Sequence, residues 1–143
     1  MKAIFLDKDG TLVEDLPYNI EQRRITLCAG VGAGLRLLAR LDYRFFVVTN
    51  QDGMAHGLFG EDDVKGVAHR LTDLLFREQV ELEGFYYCPH HPNGVIARYS
   101  RECNCRKPKP GMLMQAAHEH GIDLRSSWMI GDILHDVEAG NRA

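Results

Sequence analysis

Four short apolar runs constrain this chain most: Ala3–Leu6, Phe45–Thr49, Gly84–Cys88 and Trp128–Ile130. Each breaks off at polar or glycine residues, as buried parallel strands do. Helical spacing fills the gaps. Val31, Leu35 and Leu38 space one helix. Val64, Val67, Ala68, Leu71, Leu74 and Leu75 space a longer one. Leu113, Ala116 and Ala117 lie on a third, with Pro110 near its first turn, and a fourth begins near His135. Strands alternating with helices predict an α/β fold, a doubly wound, Rossmann-like parallel sheet with helices on both faces. The 143 residues suit a single domain over 1–143, long enough to bury a core. The alternation also predicts a further strand past Ala143. The C-terminal end therefore reads as truncated, which leaves the fourth strand at a sheet edge.

Two connections are too long for simple turns: Asp15–Cys28, and the roughly 20-residue Pro89–Lys109. Loops of that length are usually functional or stapled. The second contains Cys88-Pro89-His90-His91 at its start and Cys103-Asn104-Cys105 near its end. Paired soft or borderline ligands of this kind make a closed structural Zn²⁺ site from Cys88, His90, Cys103 and Cys105. His91 is the rival to His90; the Cys-x-His spacing favours His90. Cys28 is remote in sequence and reads as a packed or surface thiol.

The residues that end the strands carry chemistry. Asp7 and Asp9 follow the first run, spaced i, i+2, so an extended backbone would turn both carboxylates to one side. Two such anions repel unless a cation or shared proton offsets them. Thr49 and Asn50 follow the second run, Arg106 and Lys107 follow the Cys/His loop, and Asp132 and Asp136 follow the fourth run. Carboxylate oxygens without nearby histidine suit Mg²⁺. A hydroxyl, backbone amides and a lysine bind phosphate. Together they suit phosphoryl transfer through an aspartyl-phosphate. Asp136 also fits a plainer role as a first-turn helix acid.

Read in order, Asp7-Lys8-Asp9-Gly10-Thr11, Thr49 of Val47-Val48-Thr49-Asn50-Gln51, Lys107 of Arg106-Lys107-Pro108, and Gly131-Asp132 with Asp136 resemble the four motifs of the haloacid dehalogenase superfamily. The resemblance implies that Asp7 is the nucleophile and Asp9 the acid and base. It implies Mg²⁺ held by Asp7, the Asp9 backbone carbonyl and Asp132. Thr49 and the Asn50 amide would hold phosphate oxygens, Lys107 would neutralise Asp7 and the phosphoryl group, and Asp136 would orient the metal site or Lys107. The zinc loop, with Arg106-Lys107-Pro108 and Pro110-Gly111-Met112, resembles the small capless D-glycero-D-manno-heptose 1,7-bisphosphate 7-phosphatases. These supply heptose precursors for lipopolysaccharide or related glycans, and in them an arginine at the position of Arg106 helps read the second phosphate. The chain departs from that pattern at Asp52, where serine is usual, and at His56, where arginine is usual. Both are counted among the substrate-binding candidates, and both changes lower the positive charge near a bisphosphate. Histidinol-phosphate phosphatases share much of the pattern, including Thr49-Asn50-Gln51-Asp52-Gly53. An inactive zinc-stapled interaction module is the non-enzymatic alternative.

A net charge of −3 gives no basic field for nucleic acid, and no stretch is apolar enough to span a bilayer. Met1-Lys2 runs straight into a strand with no signal pattern. The expectation is a cytoplasmic monomer that acts on a small phosphorylated sugar.

Overall fold

The computed structural model describes residues 1–143. Strands β1 (Lys2–Leu6), β2 (Tyr43–Asn50), β3 (Leu82–Cys88) and β4 (Trp128–Ile130) form one parallel sheet in the order β3-β2-β1-β4. Helices α1 (Val31–Ala39), α2 (Glu61–Arg77), α3 (Gly111–His120) and α4 (Leu134–Arg142) make up the remaining layers. The sequence patterning locates every one of these elements. Pro110 stands at the N-cap of α3, beside its first turn.

Strand alternation sorts the core into two halves. Ile4, Leu6, Phe45 and Val47 point to one face and pack with Leu35 of α1 and with Val67, Leu71 and Leu75 of α2. Ala3, Phe5, Phe46 and Val48 point to the other and pack with Met112, Leu113 and Ala116 of α3 and Ala139 of α4. Helices therefore cover both faces, as the alternation requires. The chain steps from β1 outward to β2 and β3, then returns across the sheet to place β4 on the far side of β1. That reversal opens a crevice at the carboxyl ends of β1 and β4, where doubly wound sheets bind ligands.

β4 lies at the sheet edge, and Trp128 is 65% exposed, so this strand is not the buried run its composition suggests. The long first connection carries a short 3-10 turn at Gln22–Arg24 and is tied back by a bridge between Val13 and Leu27. The Cys/His loop carries a second such turn at Ala97–Tyr99.

Candidate active site

β1 ends at Leu6, and its next amide, Asp7 N–H, donates to Ile130 O of β4 at 2.9 Å. Asp7 therefore stands in the crevice at the reversal point. The backbone then turns sharply: Leu12 and Val13 N–H both return to Lys8 O, and Gly10 takes φ +78°. Gly10 is required twice over, because a Cβ there would also lie 2.3 Å from Asp132 Oδ2. Its bareness lets Asp132 approach from the loop after β4. One carboxylate oxygen from each of Asp7, Asp132 and Asp136 falls within a 4.8 Å group.

Lys107 is the cation set against these acids. Its ammonium donates to Asp7 Oδ1 at 2.7 Å, Asp136 Oδ1 at 2.7 Å and Val48 O at 2.9 Å. Three acceptors use all three of its protons. The side chain is only 3% exposed, so this geometry is held in a nearly dry environment. Asp136 is fully buried and also accepts the Ile133 amide at 3.2 Å, closing the first turn of α4. Both proposals for Asp136, helix acid and support for Lys107, describe its geometry.

Burial pushes the Asp7 carboxyl up to about 6, against the opposing pull of Lys107; the neighbouring acids Asp136 and Asp132 push the same way as burial. Asp7 and Asp132 each bring a carboxylate oxygen within 4.8 Å of the other. Two carboxyl groups in that relation need a proton or a cation between them. Hard oxygens at an open, partly solvated position fit Mg²⁺, with Asp132 exposed and Asp136 already engaged by Lys107.

Asp9 is not in the carboxylate group of Asp7, Asp132 and Asp136. The strand stops before Asp7, so period-two alternation no longer governs Asp9. Its carboxylate instead accepts from Lys8 Nζ at 2.9 Å, and it lines an adjoining cavity of about 300 Å³. Asp15, Tyr18, Asn50, Gln51 and Asp52 share that wall, so loops after β1 and β2 build the cavity. Lys8, itself buried, was not among the residues picked out by the sequence; its strand-like position pointed it away from Asp9.

Two other residues do more than the motif suggests. Asn50 clamps the backbone of Lys107 in both directions: its side-chain amide donates to Lys107 O at 3.1 Å, and its Oδ1 accepts the Lys107 amide at 3.0 Å. Thr49, 1% exposed, donates its hydroxyl to Gln51 Oε1 at 2.9 Å. The Asn50 partner could not be read from spacing, because the Lys107 contact spans 57 residues.

The Cys/His loop closes as expected. Cys88 Sγ lies 2.8 Å from Cys105 Sγ and 3.6 Å from Cys103 Sγ, and Cys103 and Cys105 are 3.5 Å apart. His90 Nδ1 stands 3.3 Å from Cys105 Sγ and 3.6 Å from Cys88 Sγ. All the cysteines are free thiols. Tetrahedral zinc with about 2.3 Å bonds sets sulfurs about 3.7 Å apart, so most edges of this group already suit the ion. The close contact between the Cys88 and Cys105 thiols draws the Cys105 thiol below its ordinary value and pushes the Cys88 thiol above it. His90 joins this group and His91 does not. The Arg106 amide donates to Cys103 Sγ at 3.4 Å, which ties the loop directly to the segment bearing Lys107.

Of the remaining candidates, Asp52 meets Arg106 at 3.6 Å, and His56 stacks near His91 with ring centres 4.9 Å apart. No helix is long and apolar enough to cross a membrane.

Known proteins resemble this chain in sequence and fold. A family model described as HAD-hydrolase-like matches residues 104–143. The D-glycero-beta-D-manno-heptose-1,7-bisphosphate 7-phosphatase of Yersinia pestis is 42% identical, over 96% of this chain and 73% of its own length. The enzyme of the same name from Haemophilus influenzae is 45% identical, over 97% and 75%. A protein of Mesorhizobium loti described as a HAD-like phosphatase superposes with a TM-score of 0.93 at 35% identity, covering 99% of this chain and 68% of that one. The D,D-heptose 1,7-bisphosphate phosphatase of B. bronchiseptica, complexed with magnesium and phosphate, gives 0.82 at 28% identity, over 97% and 74%. With four motifs at the sheet's reversal point and relatives matched across nearly its whole length, the chain belongs to the D-glycero-β-D-manno-heptose-1,7-bisphosphate 7-phosphatase family of HAD-like hydrolases.

Proposed function

We propose that this chain is a Mg²⁺-dependent phosphatase that removes the C7 phosphate of D-glycero-D-manno-heptose 1,7-bisphosphate. The observation that carries the reading is Lys107, buried between Asp7 and Asp136 at the crevice, with Asp132 beside Asp7. The names of the relatives supply the substrate.

An Asp7 oxygen attacks phosphorus while the bond to the C7 oxygen breaks, and Asp9 gives that oxygen its proton. Asp9 then takes a proton from water, whose oxygen attacks the aspartyl-phosphate. Phosphate leaves and the Asp7 carboxylate returns, so atoms and protons balance. Acid and base assistance of this kind is worth about 10²–10⁴ in rate. The Lys107 ammonium, the Thr49 hydroxyl and the Asn50 amide hold phosphoryl oxygens. Asp7, Asp132 and the Asp9 backbone carbonyl would hold Mg²⁺, which supplies positive charge against the phosphoryl group. Arg106 would meet the second phosphate, and Zn²⁺ at Cys88, His90, Cys103 and Cys105 would hold the loop that presents it. We read residues 1–143 as one domain, working as a cytoplasmic monomer without nucleic acid or membrane partners.

One observation favours a second reading. Asp9, Asp15 and Asp52 line the cavity against the single lysine Lys8, a balance that suits an amine such as histidinol phosphate. Phosphate release with Mg²⁺ from the two substrates, side by side, decides. Faster turnover of heptose bisphosphate, with only one of its two phosphates released, is expected. Faster turnover of histidinol phosphate overturns the proposal.

A further inference from the structure

A third group of ligating side chains lies apart from the carboxylate and sulfur clusters. Asp52, His56 and His91 each bring one donor atom within 4.8 Å of the other two. Their loops are fastened together by backbone. Val95 and Ile96 N–H both donate to Ala55 O, at 2.8 and 3.0 Å, and His91 N–H donates to Tyr99 O at 3.1 Å. Within the first loop, His56 N–H returns to Asp52 O at 3.1 Å. Gly94 permits the approach, since a Cβ there would sit 2.7 Å from Ala55 O. His90 is committed to the sulfur cluster, while its neighbour His91 joins His56. All three side chains are partly buried.

We propose that Asp52, His56 and His91 bind a divalent transition-metal ion of the Zn²⁺, Co²⁺ or Ni²⁺ class. Two imidazoles with one carboxylate suit these borderline ions and not Mg²⁺. The carboxylate at the centre of the group disfavours an anion there. Three protein ligands leave an open coordination position, and Asp52 carries the site to the wall of the cavity. In the metal-free protein Asp52 is engaged with Arg106, whose Nη1 is buried without a partner. An ion on Asp52 loosens that pairing and frees the guanidinium. His91 Nδ1 accepts the Asn93 amide at 3.0 Å, which leaves Nε2 for the ion. Ligation at Nε2 moves the ring proton to Nδ1 and turns the Asn93 amide away. Metal binding therefore has a local backbone signature.

The test is a Co²⁺ titration of the full chain in excess Mg²⁺, with bound metal counted by elemental analysis. Thiolate-to-cobalt absorption reports the sulfur site. The wild type should bind one more equivalent than either His56→Gln or His91→Gln, with the thiolate band unchanged in both variants. Equal stoichiometry in wild type and either variant overturns the proposal. A second measurement needs no variant: with the sulfur site already filled, further Zn²⁺ should shift the Asn93 amide in an ¹⁵N-resolved NMR spectrum. An unmoved Asn93 amide overturns it as well.

Discussion

The sulfur cluster and the carboxylate cluster feed the same short segment, yet they are built on opposite lines. Cys88, His90, Cys103 and Cys105 turn four soft or borderline donors toward one another. Such a group is closed: a metal would fill it, and nothing is left over to react. Asp7, Asp132 and Asp136 are hard donors arranged around a lysine, with Asp132 open to solvent. One cluster fixes where Arg106 and Lys107 lie. The other uses Lys107. The difference predicts that damage to each will look different, in fold for the first and in chemistry for the second.

The largest effect should come from Asp7→Asn. Loss of the proposed nucleophile is expected to lower kcat by about 10³-fold or more, with circular dichroism unchanged. Stability should move the other way. Asp7 titrates at about 6 in the fold against 3.8 as an ordinary carboxyl, so the folded state holds its proton more tightly. The metal-free protein therefore loses stability as pH rises from about 4 to 6. Thermal melts of metal-free Asp7→Asn across that range should lack this part of the decline. A variant that melts well below wild type at pH 7 would place Asp7 among the residues that hold the fold.

Stripping zinc, or Cys105→Ser, should produce the complementary pattern. The loop between β3 and α3 loses its staple, so Tm falls and the loop becomes protease-sensitive. Activity falls by about 10–100-fold, as for other losses of support around a site, because the segment that bears Lys107 loses one of its supports. Proteolysis and melting with a chelator selective for zinc over magnesium check this. Full activity after complete zinc removal would separate the two clusters altogether.

How much of this was readable from residues alone follows the same division. Asp7, Asp132 and Asp136 each follow a run whose end the hydrophobic pattern marks, and Lys107 follows the Cys/His loop. The sulfur ligands come in tight local pairs, and local spacing is what a sequence displays. The contacts that were missed are those that join distant segments or begin where regular structure stops. Lys8 reaches Asp9 because the strand ends at Leu6, and alternation cannot be extended past that point. Val48 O accepts from Lys107 across 59 residues, and nothing in a backbone carbonyl marks it in advance. His91 could be seen only as the rival of His90, since its partners Asp52 and His56 lie on another loop.

Asp136→Asn should give an intermediate effect on both scales. It leaves Lys107 with Asp7 and Val48 O but removes a fully buried charge partner. Breaking a buried pair costs about 3–5 kcal/mol, and the retained amide oxygen offsets part of that, so a loss of about 2 kcal/mol in denaturant melts is expected. Turnover should fall less than for Asp7→Asn, because Asp136 touches Lys107 and not the reacting phosphorus.

The smallest effect is the sharpest test of where the two clusters meet. Asn50 is held by neither, yet its side chain makes both hydrogen bonds to the backbone of Lys107. If the zinc loop alone fixes that backbone, Asn50→Ala should be silent. If the clamp at the end of β2 is also needed, its loss frees the Lys107 peptide while the sulfur cluster stays intact. Each neutral hydrogen bond is worth about 1 kcal/mol, so stability should drop by about 1–2 kcal/mol. The rate should fall by about 10-fold, with zinc content unchanged. Asn50→Asp keeps an acceptor for the Lys107 amide but loses the donor to Lys107 O, and it should recover only part of the rate. Recovery in Asp but not in Ala would assign the clamp to the amide contact, and would show that position, not charge alone, lets Lys107 serve Asp7.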